Sequence, residues 1–384
     1  MAEIGDPFGV ETTEPHEAGF DADRLANVEA MMASAVEERV FPGGVLIVSR
    51  AGRAALARAF GRLTYSPDST AVALDTVYDL ASLTKVIVPT TVAMQLVEAG
   101  TLDLDAPVAS YLPEFAEGDP RKVGVTVRDL LTHCSGMPPV FPGHFPAFAA
   151  ARGIPNDRDQ IVGACVRMPL DYEPRTQVAY SDLGVITLGA VLEFLAGARL
   201  DRLADERVVG PLGLRSTGYN PPPERWPEIA PTEVDPWRGR ILQGEVHDEC
   251  AWAMGGVSAH AGLFGSAPDL ASFGKALLNG GTLAGRRLVG ADTLARFATR
   301  DGRVPGSDRA LGWQVASVDN SAGSGLSSQA FGHTGFTGTS LWIDPPRQLV
   351  VVLLTNRVHP RRENTGIVGF RPALHGAVAR SIVA

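Results

Sequence analysis

Ser82-Leu83-Thr84-Lys85 places a hydroxyl and an amine three residues apart. On a helix that spacing puts both on one face, roughly 5–6 Å apart at Cβ. A neutral lysine there could take the serine proton and leave a nucleophile. A helix N-terminus at the serine would add N–H groups and a positive dipole end beside developing negative charge. The bland alternative is an N-cap serine followed by a surface lysine, but Val86-Ile87-Val88 follow at once and argue for burial. Only three of the 34 basic residues are lysines (Lys85, Lys122 and Lys275) and the rest are arginine. A lysine can lose its proton inside a protein, whereas an arginine cannot.

Three further segments carry chemistry-bearing side chains. Tyr180-Ser181-Asp182 lies between the loop Glu173-Pro174-Arg175-Thr176 and an apolar run from Leu183 to Leu195. A tyrosine at such a loop–helix junction can point into a cleft and relay a proton beside cations; otherwise it packs, and Ser181 or Asp182 caps the helix. His333-Thr334-Gly335, continued by Phe336-Thr337-Gly338, reads as the opening of a C-terminal strand pair. Its glycines let a substrate approach the strand edge and its backbone N–H groups. Val246-His247-Asp248-Glu249 offers metal-ligand types, but neighbours in an extended segment face opposite ways and no second histidine sits at ligand spacing. A structural or cleft-lining role is the better reading, and no metal or other cofactor is expected. His133 and His260 are read as making local hydrogen bonds.

The elements that must position these groups follow from periodicity. Leu25, Val28, Met32 and Val36 predict a helix over 21–39, with Asp21 as its cap. Short strands are expected at Val45 to Val48 and Ala54 to Ala59, with a turn at Gly52. The stretch from Ser82 to Gly100 reads as a buried helix kinked at Pro89 and capped by Gly100. Helices are expected at 126–133 from Thr126 and Asp129, and at 157–167, 182–196 and 199–209. The proline-rich segments 137–146 and 220–236 read as loops. Ser266 starts another helix reaching Leu278. Thr339 to Ile343 and Leu349 to Leu354 bracket a turn at Pro345, Pro346 and Arg347, and a last helix covers 364–382. The continuous apolar run at 349–354 suits a sheet buried on both faces.

Strands at both ends and helices between them predict an α/β fold of α+β type. A mainly antiparallel sheet is flanked by helices, with a mostly helical lobe inserted. Residues 1–80 and 255–384 would form the sheet lobe and 81–254 the helical lobe, with the site in the cleft between them.

Taken in order, the three motifs resemble those of the β-lactamase and penicillin-binding-protein family of serine hydrolases, in the class C-like branch with its D-alanyl carboxypeptidases and esterases. Leu130-Leu131-Thr132-His133-Cys134-Ser135-Gly136, Pro211-Leu212-Gly213-Leu214 and the glycines from Gly255 to Gly262 extend the likeness over roughly residues 20–380. The resemblance implies Ser82 as nucleophile, Lys85 as its base or base partner and Tyr180 as proton relay. It also implies an oxyanion hole from the N–H groups of Ser82 and Phe336, with His333, Thr334 and Gly335 lining the strand side. Asp182 stands where the family usually has asparagine. An ionised aspartate donates no hydrogen bond and favours a charged Lys85, which shifts weight to Tyr180 as base. His333 replaces the usual lysine and implies a weaker grip on a substrate carboxylate.

The leading reading is a hydrolase of a small ester, amide or peptide; a non-catalytic or slow-turnover sensor module is the alternative. A chain of 384 residues with 45% apolar and 20% charged residues is globular, as one large domain or two interleaved lobes. Its net charge of −9 argues against nucleic acid as a partner. No run of apolar residues is long enough to span a membrane. Residues 1–20 lack the basic and apolar regions of a signal peptide, and Cys134, Cys165 and Cys250 are odd in number. A cytoplasmic location is expected, with export by another route left open.

Overall fold

The computed structural model describes residues 11–154 and 156–383. Half of the N-terminal segment read for a leader, residues 1–10, therefore lies outside the described residues, as does Pro155 in the loop at 137–155. Helix α1 (Ala22–Glu37) starts where expected, because the Asp21 carboxylate accepts the Arg24 N–H. Strands β1 (Gly43–Arg50) and β2 (Arg53–Gly61) form a hairpin. Both turn residues, Ala51 and Gly52, have positive φ, which matches the twist of the paired strands. After β3 (Val77–Asp79) come α2 (Leu83–Ile87) and α3 (Pro89–Glu98). The expected kinked helix is thus broken at Val88, since Pro89 has no N–H to continue the ladder.

In the middle of the chain, α4 (Val127–Leu131) opens with a reciprocal cap between Thr126 and Asp129. Helix α5 (His144–Arg152) occupies part of the proline-rich stretch read as loop; Phe145, Phe148 and Ala149 bury its inner face. Helix α6 (Arg158–Val166) is capped by Asp157 and α7 (Asp182–Ala196) by Ser181. The helix expected at 199–209 is instead three short pieces, Leu200–Ala204, a π-helical turn at Asp205–Val209, and Gly210–Leu212. Pro211 cannot donate to an upstream carbonyl, and the helix widens before it. Strands β4 (Gly218–Tyr219) and β5 (Leu263–Ser266) join β3 in a small sheet of order β3-β5-β4.

Helix α8 (Ala267–Leu278) leads to β6 (Gln314–Val315), β7 (Phe331–Thr334), β8 (Ser340–Asp344), β9 (Leu349–Thr355) and α9 (Gly366–Ser381). The main sheet is antiparallel with order β6-β7-β8-β9-β1-β2, so strands from the two ends of the chain meet at β9 and β1. Alternate residues divide its two faces. Val45, Ile47, Val350, Val352 and Leu354 belong to the large front core, and Leu46, Val48, Val351 and Leu353 pack behind with α1 and α9. This explains why β9 is apolar throughout. His333-Thr334 does not open the C-terminal pair as expected: it ends a separate strand, β7, that pairs with β8. Among the described residues, no single helix is long and apolar enough to cross a membrane.

Candidate active site

Ser82 caps the N-terminus of α2 after a strained turn. Ala81 lies at φ +46°, a left-handed conformation that side chains rarely adopt. Three contacts hold that turn. The buried Asp79 carboxylate accepts the Ala81 N–H at 2.8 Å. Thr337 Oγ1 donates to Asp79 O at 2.7 Å and Thr339 Oγ1 to Leu80 O at 3.1 Å. The loop after β7 therefore clamps the serine turn from the far end of the chain. Gly335 has to be glycine, because a Cβ there would sit 2.4 Å from Leu80 O.

Lys85 is 3% exposed and reaches back one turn, its Nζ donating to Ser82 Oγ at 2.9 Å and to His260 O at 2.8 Å. Asp182 Oδ1 lies 2.7 Å from the same Nζ. Burial alone would push the ammonium toward neutrality, but Asp182 and Tyr180 outweigh it and hold the Lys85 pKa above its ordinary value. The acceptor carbonyl is itself fixed: the His260 ring is held by Ser258 Oγ at 2.7 Å and Asp248 Oδ1 at 2.8 Å.

Tyr180 stands between cations and imidazoles. Lys85 Nζ is 5.0 Å and Arg309 Cζ 5.3 Å from its ring centroid. The His133 and His333 rings lie 4.6 Å and 5.8 Å from it. Its buried hydroxyl has no hydrogen-bond partner among the described residues. His333 Nδ1 lies 2.8 Å from Thr334 O, an acceptor only, so Nδ1 carries the hydrogen. The buried Nε2 is unpartnered and exposes a lone pair. Burial, with the charges of Arg309 and Lys85, lowers the His333 pKa to about 3. A neutral ring is in keeping with the weak grip on a substrate carboxylate expected of His333.

Phe336 is half exposed at the cleft lip, its ring stacked 5.7 Å from His247 and 4.3 Å below Arg357 Cζ. Arg357 Nε also donates to Phe336 O at 2.7 Å, which pins this peptide. Among the described residues, neither the Ser82 nor the Phe336 N–H has a backbone acceptor.

The structure thus gathers Ser82, Lys85, Tyr180, Asp182 and the His333–Phe336 segment in one place. The 246–249 segment lies beside it as framework. His247 Nε2 pairs with Glu233 at 2.8 Å, and its backbone N–H donates to Asp79 at 2.7 Å. Asp248 caps the short helix Glu249–Ala253. Among the described residues, no group of three or more potential ligands is placed to hold a metal. Sequence reasoning missed Arg309, Asp79 and the His260 carbonyl. None lies in a recognisable motif, and a carbonyl acceptor leaves no trace in residue types.

Comparison with known proteins agrees with this geometry. The model of the family described as Beta-lactamase matches residues 27–368. A protein of Salmonella agona named "Putative D-alanyl-D-alanine carboxypeptidase" is 32% identical over 91% of this chain and 86% of its own. EstCE1, described as a hydrolase with promiscuous acyltransferase activity, superposes with TM-score 0.74 at 24% identity, over 93% of this chain and 99% of its own. A penicillin-binding protein homologue from Caulobacter crescentus gives TM-score 0.74 at 21% identity, over 94% and 99%. The chain belongs to the beta-lactamase family and is a serine hydrolase.

Proposed function

We propose that the chain hydrolyses a small ester, or less readily an amide or peptide, through an acyl-enzyme on Ser82. The observation that carries this reading is the 2.9 Å hydrogen bond from the buried Lys85 ammonium to Ser82 Oγ. A lysine held charged by Asp182 is a donor, so the serine proton needs another acceptor. Tyr180 Oη takes it, with the Lys85 and Arg309 cations beside its ring. Ser82 Oγ attacks the carbonyl carbon, and the Ser82 and Phe336 N–H groups receive the oxyanion. Tyr180 then passes the proton to the leaving oxygen or nitrogen as that bond breaks. Water repeats the sequence on the acyl-enzyme and frees Ser82. The substrate lies in a cleft between a sheet lobe (1–80 and 255–384) and a helical lobe (81–254).

Asp182 and His333 favour an ester over a peptide carboxylate, since neither the Asp182 carboxylate nor His333 Nε2 offers a hydrogen. Names of relatives point toward D-alanyl peptides as the rival substrate. The test compares p-nitrophenyl esters with D-Ala-D-Ala peptides, using the native protein and Ser82→Ala. Ester turnover should fall by at least about a thousandfold in the variant, and a fluorophosphonate should label Ser82 only in the native protein. Peptide turnover exceeding ester turnover would overturn the ester preference. A stable Ser82 adduct with no turnover of either class would identify a sensor module instead.

A further inference from the structure

We infer that His133 is the positioning residue for Tyr180, an inference that rests on the proton-relay role proposed above. His133 holds the backbone on both sides of the tyrosine. Its carbonyl accepts the Ala179 N–H at 3.0 Å, and its ring Nδ1 accepts the Ser181 N–H at 3.1 Å. The same ring lies against the Tyr180 ring at 4.6 Å with a 40° tilt. Three contacts from one residue therefore fix the Val178–Ala179 peptide, the Tyr180–Ser181 peptide and the face of the Tyr180 ring.

The geometry has a cost in backbone conformation. His133 sits at φ +57°, directly after α4, where glycine or asparagine would be easier. That conformation turns the ring toward Tyr180 while α4 stays anchored by its Thr126–Asp129 cap. The accepting role also fixes the tautomer: Nδ1 must keep its lone pair, so any ring hydrogen is on Nε2. Burial and the charges of Arg309 and Lys85 keep the ring neutral well below the usual histidine range. The lone pair is therefore available at any pH at which the enzyme would work.

The role is distinct from that of Lys85 and Asp182. Those groups set charge at the serine, whereas the His133 contacts go to the backbone around Tyr180 and to its ring. It acts on where the Tyr180 hydroxyl stands. A displacement of about 1 Å in such a group costs up to about a hundredfold in rate.

The test uses the full chain and p-nitrophenyl ester turnover, with single-turnover acylation by a fluorophosphonate as a second readout. His133→Phe keeps a ring but removes the acceptor. His133→Asn keeps an acceptor at the Nδ1 position and tolerates positive φ. His133→Phe should lower kcat by about tenfold to a hundredfold with KM changed by less than about twofold. His133→Asn should recover most of that loss. In a Tyr180→Phe background, His133→Phe should cost less than about a further twofold, because the group it positions is gone. Equal loss in both backgrounds, or His133→Asn as slow as His133→Phe at matched melting temperature, would overturn the inference. Unchanged acylation and turnover in Tyr180→Phe alone would instead remove the relay role itself.

Discussion

Behind the main sheet, α1 and α9 bury Leu25, Val28, Met32, Ile367, Leu374 and Val378 against Leu46, Val48, Val351 and Leu353. In front of it, the cleft buries Asp79, Lys85, His133, His260 and His333, each less than one-tenth exposed. The rear uses ordinary helix and strand backbone. The cleft contains Ala81 and His133 at positive φ, and among the described residues Tyr180 Oη and His333 Nε2 lack hydrogen-bond partners. Apolar burial stabilises through area alone and tolerates small shifts, whereas a buried polar group is stable only in one arrangement of its partners. Folding energy is gained in the apolar layers on both faces of the sheet; the cleft is where part of it is given up for pre-organisation.

Acid should produce the largest change in stability, because both regions bury histidines. His133, His333 and His359 around the cleft all have depressed pKa values, first because of burial. His375 in α9 shares this, lowered to about 4. A histidine with a depressed folded pKa binds its proton more readily when unfolded. Its contribution is therefore complete above pH 6.5 and is lost as pH falls toward the folded value. His375 alone implies about 3 kcal/mol over that window. Urea unfolding from pH 7 to 4 should show stability falling steeply below 6.5, with more than one proton taken up per molecule. A flat profile would mean that these buried histidines, in the cleft and in α9, are not held neutral.

Next in size is a change confined to the rear. Leu374 is fully buried between α9 and the sheet. Leu374→Ala should lower stability by about 2–5 kcal/mol. It should leave kcat/KM on an ester within about twofold of the native value. A tenfold loss of turnover with the fold intact would show that the rear layer transmits to the cleft.

The contrast also explains what could be read from residues alone. Apolar patterning located α1, β1, β2, β9 and α9 to within a few residues, by helical spacing in α1 and by an unbroken apolar run in β9. The Thr126–Asp129 pattern did the same for α4. Helix α5 was missed because its apolar face is built from Phe145, Phe148 and Ala149 after a cluster of prolines and glycines that reads as loop. Strand β7 was merged with its neighbour because His333-Thr334-Gly335 looks like a turn.

Around the site, the motifs located Ser82, Lys85, Tyr180 and the His333 segment, but not what surrounds them. The scarcity of lysine proved a packing signal as much as a chemical one. Lys122 Nζ donates to Val166 O at 2.6 Å and Met168 O at 3.0 Å, and Lys275 Nζ to Gly52 O at 2.9 Å. All three lysines thus place a compact ammonium on backbone carbonyls, where a planar guanidinium would not fit as well. Only Lys85 adds a hydroxyl and a carboxylate to that arrangement.

The smallest expected effect bears most directly on the contrast between the regions. Ala81→Gly would relieve the left-handed strain at the serine turn, worth about 1–2 kcal/mol in an alanine. Added freedom in the unfolded chain offsets about 0.4–1 kcal/mol of this. The net change in stability should therefore be a gain of at most about 1.6 kcal/mol, read as a rise in the urea midpoint. Turnover should move the other way, since the Asp79, Thr337 and Thr339 contacts would then hold a looser turn. A variant more stable and slower would show that strain at Ala81 serves the placement of Ser82. A variant more stable and equally fast would show that those three contacts suffice to aim the hydroxyl.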